Sequence, residues 1–152
     1  MGRPLLARAA VPVFIVTTVL SSLPAAASER WATLEAIHQL ENPSNSAAPG
    51  ALGELGPYQF REATWRMHTN APFSRALDRR SADAVAVKHY DWISSELERV
   101  GAPVTPYNVA LAWNAGLRAV TSEHPPGVAI DYATRAANLA GAFLRSESAY
   151  SR

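Results

Sequence analysis

The chain has 152 residues, a formal net charge of +1 and no cysteine. A near-neutral balance with no basic stripe argues against nucleic acid as a partner, and the missing thiols exclude disulfide staples and thiolate zinc sites. Apolar packing must therefore hold a single compact domain together.

Arg3 and Arg8 flank the start of an apolar run from Ala9 to Leu20, and Ala25-Ala26-Ala27 supplies the small residues that a signal peptidase needs before Ser28. Residues 1–27 read as a secretory signal. An uncleaved anchor fits less well, because the apolar run is shorter than the ~20 residues that span a bilayer and Pro12 interrupts it. The expected product is an exported protein, periplasmic or extracellular, with one domain over residues 28–152. Losing the two arginines takes its net charge from +1 to −1.

Trp31, Leu34, Ile37 and Leu40 recur at three-residue spacing and predict a helix over about 29–41, stopped where Pro43 restricts Asn42. Residues 42–57, rich in Gly, Pro, Ser and Ala, predict an ordered loop or short hairpin. A short helix over about 61–68 follows, with Trp65 facing inward. Ser81 is the expected N-cap of the next helix, in which Val85, His89, Trp92, Leu97 and Val100 line one side before Gly101 and Pro103 end it. Thr105 and Pro106 open a further helix that Gly116 closes. After Pro125-Pro126-Gly127 comes the last helix, about 128–146, with Ile130, Ala133, Ala137, Ala140 and Leu144 inward. The fold class is mainly α.

Three segments carry chemistry: Glu41 at a helix end, Gly53-Glu54-Leu55-Gly56-Pro57-Tyr58-Gln59-Phe60, and Trp113-Asn114-Ala115-Gly116. Glu41 lies at the edge of a buried face and in the last helical turn. Partial desolvation and the negative end of the helix dipole both disfavour its ionisation, which suits a general acid. Taken alone it reads first as a solvated helix-end glutamate. Gly53 and Gly56 permit a close approach of backbone to ligand, and the Gln59 amide offers a donor and an acceptor for sugar hydroxyls.

Together these segments resemble the soluble lytic transglycosylase domain, a branch of the lysozyme-like superfamily. The interval from Glu41 to Gln59 fits without insertion, with Gly53, Gly56 and Gln59 on the family's Gly, Gly and Gln. Leu111-Ala112-Trp113-Asn114-Ala115-Gly116 is similar to its Ala-Tyr-Asn-Ala-Gly, and Asp131-Tyr132-Ala133-Thr134-Arg135-Ala136 matches its closing segment loosely. The resemblance implies a lysozyme-like α domain that acts on peptidoglycan glycan strands. Glu41 would be the sole acid and base, cutting the MurNAc-GlcNAc bond without a cofactor or metal. Attack by water instead of the muramoyl hydroxyl would make it a muramidase, and loss of chemistry would leave a module that binds glycan or an envelope assembly partner. A monomer is expected.

The chain departs from that pattern at several positions. Asn42 stands where the family has Ser, Glu54 where it has Ala, Pro57-Tyr58 where it has Leu-Met, and Trp113 where it has Tyr. Glu54 is either a water-activating base or an ordinary exposed loop residue, with Glu62 and Asp131 the other candidates for a second carboxylate. Asn114 either holds an acetamido group or caps its helix. Trp113, Tyr58 and Tyr132 are candidate sugar-contacting rings, the tyrosines because a polar tip wants a partner. His38, His68, His89 and His124 lack metal-ligand spacing, and no nucleophile-elbow or phosphate-loop signature occurs.

Overall fold

The computed structural model describes residues 25–150, so most of the expected signal segment, residues 1–24, lies outside the described residues. The elements are α1 (Ala25–Glu41), α2 (Glu62–His68), a 3₁₀ helix (Phe73–Leu77), α3 (Arg79–Arg99), α4 (Pro106–Ala115), α5 (Leu117–Thr121) and α6 (Gly127–Tyr150). The domain is mainly α. Among the described residues the only β pairing is an isolated antiparallel bridge between Leu55 and Phe60, and no described helix is long and apolar enough to cross a membrane. Ala25-Ala26-Ala27, the expected cleavage site, forms the first turn of α1.

Local chemistry explains where the helices stop and start. The last turn of α1 closes with the Asn42 N–H donating to the His38 carbonyl, after which Pro43 ends the helix. The α3 N-cap is Asp78, not Ser81: the Asp78 carboxylate accepts from the Ser81 backbone N–H at 3.0 Å and from its hydroxyl at 2.6 Å. A carboxylate outcompetes a hydroxyl for the unpaired first-turn donors because it also meets the positive end of the dipole. α4 follows expectation, with the Thr105 hydroxyl accepting from the Asn108 N–H, Pro106 in the first turn and Gly116 at φ 81° closing it.

Ile37, Phe60, Trp65, Ile93, Leu97 and Val109 form the main core between α1, the 55–60 turn, α2, α3 and α4. α6 lies against α1 and α4 through alanines: Ala140 meets Ala32 and Ala36, and Ala129, Ala133 and Ala136 meet Ala110 and Leu111. Small side chains let these helices approach closely. The buried stripe of α6 is therefore Ala129-Ala133-Ala136-Ala140, and Ile130, expected inward, is 38% exposed. Trp31 is likewise rotated outward, 48% exposed with its ring 5.9 Å from Phe143, and Val100 is exposed past the end of α3. On α3 the inward positions are Ala82, Val85, Ala86, His89, Tyr90, Ile93 and Leu97, which leaves Trp92 at the edge.

Candidate functional site

A turn fastened to the end of α1 builds the site. The buried Asn42 amide donates to the carbonyls of Ser46 (2.9 Å) and Gly56 (3.2 Å), while its oxygen accepts from the Ser46 N–H (2.9 Å). The residue after Glu41 thus ties the helix end to the glycine-rich segment. Gly56, at φ 79°, passes so close to the 3₁₀ helix that an added Cβ would sit 1.8 Å from the Ala76 carbonyl oxygen. No other residue fits there. Gln59 also adopts positive φ, 46°, with its backbone and side-chain N–H groups both donating to the Gly56 carbonyl. Phe60 then pairs with Leu55 and closes the turn.

This turn forms one wall of an open cleft of about 630 Å³. Glu41, Gly50, Glu54 and Gln59 line it from α1 and the loop, Thr64 and Met67 from α2, His89 and Trp92 from α3, and Trp113 to Leu117 from the end of α4 and the start of α5. Glu41 is half-buried, and the Tyr132 hydroxyl on α6 donates to its Oε1 at 2.7 Å. Burial pushes the Glu41 carboxyl above its ordinary value; the Tyr132 hydrogen bond pulls it down and the negative charge of Glu54 pushes it further up, with a net rise. Glu54 behaves oppositely. Its own backbone N–H and that of Leu52, then Arg61, hold it below the usual carboxylate range. The Leu52 N–H lies 2.9 Å from Oε2 and the Arg61 Nε 3.4 Å from Oε1.

The expected site residues therefore separate into groups. Glu41, Glu54, Gln59, Trp113 and Asn114 share the cleft. Glu54 is not a freely solvated loop residue, since its side chain is only 16% accessible and ion-paired. Asn114 is exposed, and Gly116 rather than Asn114 caps α4. Tyr58 is corrected: it is 3% exposed, packed against Phe60 and Trp113, and its hydroxyl donates to Asp83 at 2.7 Å on another face of the molecule. Its polar tip found a protein partner instead of a ligand. Tyr132 is corrected too, because it supports Glu41 from behind and its ring does not line the cleft. Glu62 pairs with Arg66 and Asp131 faces Arg135, both away from the cleft.

His89 and Trp92 were read as core positions, yet both line the cleft, as does Met67. Helical periodicity places a residue on a face; it does not say that the face ends at an open groove. Among the described residues no three His, Asp or Glu side chains converge on a metal position. No protein family, curated protein or solved structure matches the chain.

Proposed function

We propose that the protein is an exported enzyme that cleaves the MurNAc-GlcNAc β-1,4 bond of peptidoglycan, with Glu41 as general acid and then base. One observation carries this reading: Glu41, its carboxyl raised by burial, sits in an open cleft beside the Gln59 amide and the Trp113-Asn114 bend. A protonated Glu41 donates to the glycosidic oxygen as the bond from that oxygen to the anomeric carbon breaks. The substrate's acetamido group stabilises the positive charge that develops. The muramoyl C6 hydroxyl then attacks the anomeric carbon and gives its proton to Glu41, leaving a 1,6-anhydro end and restoring the acid. The Tyr132 hydroxyl, which donates to Glu41 Oε1 at 2.7 Å, fixes the direction of the carboxyl.

A specific feature favours a second reading, hydrolysis by a muramidase. In the same cleft the Glu54 carboxyl is pulled below its ordinary value by backbone N–H groups and Arg61 while burial pushes the Glu41 carboxyl above its own, and carboxyl groups with opposed environments divide naturally into base and acid. Digestion of purified sacculi, with the products weighed, separates the two. Anhydro ends, one water lighter than reducing ends, support transglycosylation; reducing ends support hydrolysis. Absence of any soluble fragment would overturn both.

A further inference from the structure

Two histidines meet where α2 packs on α3. His68 ends α2, and its Nε2 lies 2.9 Å from Nδ1 of His89 on α3. The Lys88 ammonium donates to the His68 carbonyl at 3.2 Å. Among the described residues these are the side-chain hydrogen bonds that cross from α2 to α3, and both end on His68. Trp65 holds the same helix from within: it is 1% exposed, and its indole donates to the Ala71 carbonyl at 2.9 Å. α2 is thus pinned in the core by Trp65 and tied down at its C-terminal end by His68. Its Thr64 and Met67 form one wall of the cleft, while His89 and Trp92 belong to the α3 wall.

A hydrogen bond between two imidazoles needs one N–H and one lone pair. The neutral pair supplies both. One added proton keeps the bond, since a charged ring donates to its neutral neighbour; a second turns both facing nitrogens into donors and leaves nothing to accept. The surroundings do not help that second proton. Lys88 and the imidazoles themselves are the charges that act on the pair, and each is positive when protonated. Nearby carboxylates are engaged elsewhere: Glu62 pairs with Arg66 on α2, Glu54 with Arg61 on the turn, and Glu41 on α1 accepts from Tyr132. From the 55–60 turn and α4 the His89 ring meets Phe60 and Trp113, and Trp92 stacks on it from α3. Burial and the His68 charge lower the His89 value to about 4, and burial and Lys88 lower that of His68. Once freed, the His89 ring returns toward its ordinary 6.5, so opening gains as pH falls from 6.5 to about 4.

We propose that His68 and His89 form an acid-released latch: when both facing nitrogens carry a proton, the end of α2 swings away from α3 about Trp65 and opens the α2 wall of the cleft. The latch belongs to the fold and does not depend on the glycan reading.

The test is amide hydrogen exchange of the full chain, read by mass spectrometry from about pH 7 to about pH 4 and corrected for the intrinsic rate. Protection of the α2 amides should fall about tenfold or more over this range, while the α4 amides keep theirs. This comparison within the wild type needs no variant. His68→Gln can donate to or accept from His89 but takes no proton, so it should lose far less α2 protection in acid. His89→Gln should behave in the same way from the other side. His68→Ala removes the bond at every pH, and its α2 should exchange faster already at neutral pH. Loss of protection in α2 and α4 together would mean that the whole domain opens in acid, and would overturn the latch. An α2 that stays protected at the acid end would overturn it too, as would an equal loss in His68→Gln and the wild type.

Discussion

Glu41 is set by burial and by two neighbours, Tyr132 and Glu54, that act in opposite directions, and each neighbour can be removed separately. Tyr132→Phe deletes the hydrogen bond that favours the ionised form, so the Glu41 carboxyl should rise and the alkaline limb of the pH–rate profile should move to higher pH. Glu54→Gln deletes a repulsive charge, so the same limb should move to lower pH. If both variants shift it the same way, the assignment of the limb to Glu41 fails. The raised value also has a cost in stability. A carboxyl that binds its proton more tightly when folded contributes fully below its unfolded value, and that contribution is lost as pH rises through the folded one. Glu41→Gln should therefore gain stability over the wild type as pH increases, read as a growing gap between their urea midpoints. The sequence disclosed Glu41 because Pro43 fixes where its helix ends. It did not disclose Tyr132 as its support, because contact between residues 91 positions apart leaves no periodic trace.

Among the elements, the 42–60 segment depends most on a single backbone position. Gly56→Ala would combine positive φ with a Cβ driven into the Ala76 carbonyl, and should cost about 3 kcal/mol or more, measurable by equilibrium denaturation. Gly53 also has positive φ, but open space surrounds its missing Cβ, so Gly53→Ala should cost about 1 kcal/mol. A comparable loss at both positions would refute the close approach of the turn to the 3₁₀ helix. The glycine spacing was legible, and so were the ends of α1 and α4, because Pro43, Thr105, Pro106 and Gly116 act locally. The 3₁₀ helix and α5 were not, since five residues carry too little periodicity to register. The orientation of α6 was misread at Ile130 for a different reason. An alanine stripe is a weak hydrophobic signal, and the larger isoleucine outweighs it in any pattern although close helix packing favours the alanines.

The cleft arises only when α1, the loop, α2, α3 and α4 come together, which is why its α3 wall could not be read from helix patterns. Burial inside this assembly, together with the nearby His68, lowers the His89 value from 6.5 to about 4. The sign follows from linkage. The folded protein holds this proton more weakly than the unfolded chain, so the contribution is complete above 6.5 and is lost as pH falls through about 4. His89→Gln should therefore flatten the acid side of the stability profile, and an unchanged acid profile would contradict the burial of that ring. One half-buried carboxyl borders this cleft, and the proposed chemistry stands or falls with it. The decisive measurement is release of soluble muropeptides from purified sacculi by the wild type and by Glu41→Gln, with circular dichroism confirming equal folding. The expected result is release by the wild type and a loss of about 10² to 10⁴-fold in the variant; undiminished release by a folded Glu41→Gln protein would contradict the assignment.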